Sequence, residues 1–575
     1  MKHYAQIKSS FEPRIHRDTE IHSVNSPCSF VPLCLHGSKN TGIKKLLFVL
    51  LFLAGANTAF SQQTFLITSY GAKADGKTNN AKAIQSAIDA AAKTGAGKVV
   101  VPAGTFVTGP LRLQSGVELH LQKGAVLMGS TVRKDYGTGK AVALLSAENA
   151  TNISLTGAGT IDGRGSLVVE NLIELLKAGT MHDKQWPLKA PAEENRPQII
   201  TFTACNNVTV IGITLKNSAA WVQTYLRCNN VIINSVTVES VSYWNNDGID
   251  IVNSKNVSIT ACTINAADDA ICLKSEGSIK DSCVNVYVAN CKLRSSASAF
   301  KMGTGSKGGF RNIRVDGLQV HDTYRSAIAL EAVDGGFLEN VEIKNVRAMN
   351  TGNAILVRLG HRNKDSVYST VKNIFIANVY VEVPAGKPDK GYPMEGPGLK
   401  YPPGFKPAKG VMQSLSPWNH SSRDSGAIPY PHNVFPSSIT GLPGHPVENI
   451  RLENIEIVYE GGAKKERAFF PADSLTKITE AEASYPEFSM FGELPVWGLY
   501  LRHAKDVSMK NITLRYKTDD FRMALIADDV NGLKMEELFI PSYKELPVMI
   551  LNNVKRYSTN GLRLPVEASK AIKIQ

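Results

Sequence analysis

Apolar positions along this chain alternate with polar ones inside short segments, and the segments themselves recur. Each opens on an asparagine: Asn152 (NISLTGAG), Asn207 (NVTVIGITL), Asn230 (NVIINSVTV), Asn256 (NVSITACTI), Asn285 (NVYVANCKL), Asn312 (NIRVDGLQV), Asn340 (NVEIKNVRA), Asn373 (NIFIANVYV), Asn449 (NIRLENIEI) and Asn511 (NITLRY). From Asn207 to Asn340 the spacings are 23, 26, 29, 27 and 28 residues. A unit of that length holding two or three period-two strands, with Gly, Asn or Asp between them, predicts one coil of a solenoid. The fold class is therefore all-β, a right-handed parallel β-helix. A β-sandwich also tolerates short alternating strands, but it does not require an asparagine at near-constant period. Stacked asparagines can form a hydrogen-bonded ladder at each turn.

Ahead of the repeats, FLITSYGAKADGKTNNAKAIQSAIDAAAKTGAGKVVVPAGTF reads as strand, turn, helix, strand. The helix has Asn79 or Asn80 as its N-cap, with Ile84, Ala87, Ile88 and Ala91 on one apolar face and a stop at Gly95 and Gly97. A short helix here suits an N-terminal cap over the open end of the array, which would otherwise be a bare sheet edge. Two Pro- and Gly-rich interruptions, near 384–446 and 460–495, are long enough to project from one face and carry function. The last coils, near Asn531 and Asn553, lose the pattern, as terminal caps do.

Aligning coils by their asparagines puts Cys205 with Cys228 and Cys262 with Cys291. Coils about 4.8 Å apart allow a disulfide by distance, yet stacked side chains run parallel, so reduced interior thiols are expected. No cysteine pair has the CxxC spacing of a metal site.

Lys44 to Ser61 (KKLLFVLLFLAGANTAFS) has the charged, apolar and small-residue layout of a secretory signal, and its apolar run is too short to span a bilayer. Residues 1–43 are read as an over-called extension, 44–61 as the signal and 62–575 as one β-helix domain. The expected product is secreted, to the periplasm or outside the cell, with no membrane span. The net charge of +13, of which residues 1–61 hold seven Lys/Arg against three Asp/Glu so that +9 remains beyond them, suits an acidic polymer, while export argues against nucleic acid.

The chemistry concentrates between Asn245 and Ser275, NNDGIDIVNSKNVSITACTINAADDAICLKS. Matching Ile249 with Ile271 places Asp247 beside Asp269 on adjacent coils, with Asp268 next to them. Carboxylates this close push their pKa values apart, so one can stay protonated while others ionise, which is what glycoside cleavage needs. The same residues also suit turns, and such clusters can bind calcium.

The DGID and DDAICLKS segments in this order, followed by MGTGSKGGFRNI, resemble glycoside hydrolase family 28, the polygalacturonase-like family. The opening YGAKADGKTNNAKAIQSAID is similar to the entry segment of those enzymes and of related pectin-active β-helices. The resemblance implies a pectin-lyase-like solenoid that hydrolyses pectin-type polysaccharide with inversion. It implies Asp268 as general acid, Asp247 and Asp269 as the groups that activate water, and no cofactor or metal. The expected partner is a polysaccharide or oligosaccharide, acidic in character, and the expected state is a monomer.

Two family elements are altered. Where the family has Gly-His-Gly, this chain has Ala297-Ser298-Ala299, and where it has Arg-Ile-Lys, this chain has Ala329-Leu330-Glu331. Ser298 thus stands at a substrate-binding position, and Lys274, Lys301, Arg325 and Arg358 become candidate replacements for the missing cations. Arg362, Arg502 and His503 are further candidates. The altered positions favour another or decorated sugar, such as rhamnose in rhamnogalacturonan, over plain polygalacturonate, and the long interruptions favour action on chain ends. A polysaccharide lyase or a carbohydrate-binding protein on the same scaffold is the alternative.

Overall fold

Parallel pairing at single-coil offsets governs the architecture. The structure, a computed structural model, describes residues 62–396, 399–400, 427–428, 433–463, 473, 475–541 and 547–575. The predicted extension and signal lie outside the described residues. Nearly all described strands join one 31-stranded sheet in which each strand pairs with its equivalent one coil away, in parallel register throughout. That pattern is a parallel β-helix, and the right-handed sense is the one that strand–crossover–strand connections adopt.

The strands that matter to the site are β1 (Ile249–Val252), β2 (Ile271–Ser275), β3 (Phe300–Ser306), β4 (Phe310–Ala332) and β5 (Phe337–Leu359). They are followed by β6 (Ser437–Thr440), β7 (Val496–Thr518) and β8 (Met523–Phe539). Ile251, Leu273, Met302, Leu330, Val357, Ile439 and Leu501 share one register position and form a continuous interior stack. All seven are buried, as period-two alternation requires of the inward set.

The asparagines turn the corners. Asn207, Asn230, Asn256, Asn285, Asn312, Asn340, Asn373 and Asn449 all have φ between 52° and 59°, a left-handed conformation that asparagine tolerates better than most residues. Their amides bond from coil to coil, as in Asn285 Nδ2 to Asn256 Oδ1 (2.9 Å) and Asn312 Nδ2 to Asn285 Oδ1 (3.1 Å). A second ladder runs through Asn345, Asn378 and Asn454. Asn511 belongs to this second ladder, donating to Asn454 Oδ1 at 2.9 Å. The flanking pairs Glu448–Lys505 and Ile450–Val507 put Asp506 opposite Asn449 in the first. Sequence alternation alone is the same at both positions, so it assigned Asn511 to the wrong corner.

Helix α1 (Ala81–Lys93) buries Ile84, Ala87, Ile88 and Ala91, the predicted face. Asn80 precedes it, but Asn79 Oδ1 accepts the Ala81 N–H at 3.0 Å, while the Asn80 side chain binds Lys73 and Val107. A second helix, α2 (Gly165–Lys177), was not anticipated; it buries Val168, Val169, Leu172 and Leu176 in an excursion between coils. The main-sheet strands stop at Val383 and resume at Ser437, inside the span read as a 384–446 interruption, and stop again at Gly461 to resume at Val496. All six cysteines among the described residues are buried free thiols, with Cys205 beside Cys228 and Cys262 beside Cys291 in register.

Replacing Asn285 with alanine removes two ladder bonds and puts a poor left-handed residue at the corner, so we expect a loss of about 1–2 kcal/mol in denaturant unfolding. Asn285→Gly, which keeps the conformation and loses only the bonds, should lose less.

Candidate active site

The strand register decides which groups meet. Ile249 pairs with Ile271, and Ile271 with Phe300, so Asp247, Asp269 and Ser298 occupy one position on three successive coils, each two residues before its strand. A carboxylate oxygen of Asp247, one of Asp269 and the Cys272 Sγ lie within 4.8 Å of one another. Asp268 is adjacent and partly open to solvent, and its Oδ1 accepts the Asp269 N–H at 3.0 Å. Asn245 reaches Asp268 Oδ2 at 3.5 Å and is itself held by Arg196, whose Nη2 donates to Asn245 Oδ1 at 2.7 Å.

Two buried lysines neutralise the cluster. Lys274 Nζ lies 2.9 Å from Asp247 Oδ2, pairs also with Asp250, and sits 4.2 Å from the centre of the Trp221 ring. Lys301 Nζ lies 3.1 Å from Asp269 Oδ2, donates to the Tyr485 hydroxyl at 2.8 Å and stands 4.0 Å from Glu331 Oε2. That Glu331 oxygen is buried with no hydrogen-bond partner. Ser298 contributes its backbone N–H, 3.0 Å from Asp269 Oδ1.

These surroundings separate the acids. Burial raises Asp268 to about 8, with the charges of Asp247 and Asp269 adding to it. Burial acts against Asp269 too, but Lys301, Lys274 and Arg325 outweigh it and hold that carboxyl below its ordinary value. Asp247 is pushed up by burial, with Lys274 opposing and Asp250 and Asp269 reinforcing the rise. Burial lifts Asp250 to about 6 and Glu331 to about 7. Burial disfavours the charged lysines, yet the carboxylates around them keep Lys274 and Lys301 protonated well beyond the usual range.

The other sequence candidates are committed to protein partners. Arg325 pairs with Glu487 (3.4 Å) and Arg362 with Asp334 (2.8 Å). Arg358 is buried and donates to the carbonyls of Gly441 (3.1 Å) and Glu480 (2.7 Å). Arg502 and His503 both hold Glu480, at 2.6 and 3.1 Å. Sequence reasoning missed Asp250, Trp221 and Tyr485. Asp250 was findable, since alternation from Ile249 turns it outward beside Asp247. Tyr485 was not, because 184 residues separate it from Lys301 and an irregular insertion carries it.

Asp247, Asp269 and Cys272 are the one group among the described residues with metal-ligand spacing. Two ammonium groups already pair with its carboxylates, which disfavours a further cation.

Lys301→Met would leave Asp269 buried without its partner, a loss of about 3–5 kcal/mol at neutral pH. Asp269 is held low in the fold, so the pairing stabilises above the ordinary aspartate range and fades as pH falls through the lowered value. Urea unfolding of both proteins should therefore show a wide gap at pH 7 that narrows in strong acid.

The sequence model of Glycosyl hydrolases family 28 matches residues 92–390. The exo-poly-alpha-D-galacturonosidase of Dickeya chrysanthemi is 26% identical over 351 residues, covering 52% of this chain and 57% of that protein. An endo-polygalacturonase of Pectobacterium carotovorum subsp. carotovorum is 27% identical over 320 residues, covering 51% of this chain and 75% of that protein. The chain thus spans little more than half the length of the first of these relatives. The hyperthermoactive exopolygalacturonase of Thermotoga maritima shares the fold, with a TM-score of 0.50 at 22% identity over 69% of this chain and 87% of that one. No helix among the described residues is long and apolar enough to cross a membrane.

Proposed function

The chain belongs to glycosyl hydrolases family 28, and on that premise we propose that it is an exported hydrolase of glycosidic bonds in pectin-type polysaccharide. The observation that carries this reading is the meeting of Asp247 and Asp269 on adjacent coils with Asp268 beside them, Lys274 pairing the first and Lys301 the second, an arrangement that tunes Asp268 upward and Asp269 downward. Asp268, protonated and partly open to solvent, gives its proton to the leaving glycosidic oxygen. Asp269, ionised, takes a proton from a water that Asp247 helps to hold, and the resulting hydroxide attacks the anomeric carbon. The leaving group departs with the Asp268 proton and the sugar gains the hydroxyl, so the step balances as a hydrolysis.

The sugar at the cleaved bond is proposed to be neutral or decorated. Lys274, Lys301, Arg325 and Arg362 each already have an acidic partner, and Glu331 adds a buried carboxyl oxygen without a hydrogen-bond partner beside Lys301. A buried carboxylate without a cation is costly enough to slow turnover by orders of magnitude. Action on chain ends is supported by the convergence of both insertions on this face. The Ser296 hydroxyl donates to Met394 O (2.6 Å) from the first, and Phe435 of the first packs edge-on against Phe488 of the second at 5.1 Å.

Product analysis on a panel of pectic fractions tests the reading. We expect reducing ends, released first as short sugars, faster from rhamnogalacturonan fragments than from plain polygalacturonate. Products with unsaturated, ultraviolet-absorbing ends would show a lyase, and binding without cleavage would show a carbohydrate-binding protein. Asp247→Asn, Asp268→Asn and Asp269→Asn should each cut turnover at least about a hundredfold. In the wild type, kcat/KM should fall above about pH 8 as Asp268 loses its proton, a limb absent from Asp268→Asn.

A further inference from the structure

Both buried lysines of the acid cluster touch an aromatic ring that the chemistry above leaves unused. Lys274 meets Trp221, from the coil before β1, and Lys301 meets Tyr485, from the second insertion. The rings therefore lie on opposite sides of the acids along the coil axis. Tyr485 is 40% exposed, and its hydroxyl is bound by Lys301.

The insertion is anchored so that the ring has a fixed place. Glu480 is gripped by Arg502 and His503 through its carboxylate and by Arg358 through its carbonyl, and Glu487 is held by Arg325. Tyr485 lies between those anchors. Beneath it, Lys301, Arg325 and Arg362 approach its ring centre at 5.1, 5.8 and 5.9 Å, which favours the ring staying in place. A tyrosine set this way offers an apolar face to the trough while its polar tip is satisfied by protein.

We propose that Tyr485 is a substrate-positioning residue, a platform on which the apolar C–H face of a pyranose rests on the β4 side of the acids, with Trp221 as its counterpart on the other side. The inference rests on the hydrolase reading and adds which sugar face is recognised and by what. A pyranose has one face rich in C–H groups whether or not C6 is a carboxylate, so the platform serves neutral and decorated sugars alike. With Trp221 beside Lys274 and Tyr485 beside Lys301, the two platforms would hold sugars on either side of the acids.

The test uses the full chain with Asp268→Asn as an inactive trap, titrated calorimetrically with oligosaccharides from rhamnogalacturonan and from polygalacturonate. We expect Asp268→Asn/Tyr485→Ala to bind the preferred fraction at least about tenfold more weakly, with an unchanged melting temperature, and Asp268→Asn/Tyr485→Trp to recover most of the affinity. In the active background, Tyr485→Ala should raise KM far more than it lowers kcat. Equal affinity for the Tyr and Ala forms would overturn the proposal, as would a weakening that tracks a fall in melting temperature or that tryptophan does not rescue. Binding of neither fraction by the trap would also overturn it. Wild-type product analysis decides the hydrolase reading separately, so the two can fail independently.

Discussion

A parallel coil repeats its side chains about every 4.8 Å, and that spacing forces like groups to sit on top of one another. For the interior stack this is favourable, because identical apolar shapes fill the same slot coil after coil. For Asp247 and Asp269 it is not, since two buried carboxylates are brought within 4.8 Å. The structure answers with Lys274 and Lys301, placed one coil further along from each acid and buried with them. Removing water from four charges is expensive, and only close pairing offsets it. The cluster is held by that balance, and its uneven distribution of cations lowers Asp269 while Asp268 is raised.

The same reasoning explains where the remaining cations went. One column of the sheet runs Glu331, Arg358, Thr440, Arg502 and Asp528 in strict register. Its arginines look from sequence like ligands for an acidic sugar, yet they bond inserted chain instead, Arg502 the Glu480 carboxylate and Arg358 the Glu480 carbonyl. The second insertion is thereby fastened across several coils and brings Tyr485 to Lys301.

Two asparagine ladders support this arrangement from the corners. Each residue accepts a left-handed backbone and passes an amide bond to the next coil, so the coils keep a common phase. A slip of phase by one residue would turn every outward acid inward. The register that brings Asp247 beside Asp269 is thus the same register that the ladders and the interior stack enforce.

Much of this was legible in the chain because it depends on local, periodic signals. Alternating apolar residues, the asparagine period, the buried face of α1 and the pairing of Ile249 with Ile271 all follow from a repeat whose geometry is known once its period is read, whereas the end of the first interruption does not, since strand β6 begins inside it. Helix α2 carries a readable apolar stripe at Val168, Val169, Leu172 and Leu176, but it interrupts the repeat, so the coil period gives no place for it. The assignment of Asn511 failed because both corners carry the same local pattern. What the sequence by itself determined was the coil, its stacking and the meeting of three aspartates, since each is a consequence of spacing. Which cation serves which acid and the arrival of Tyr485 from 184 residues away were decided only by tertiary structure. They depend on where irregular insertions fold back, and nothing periodic encodes that.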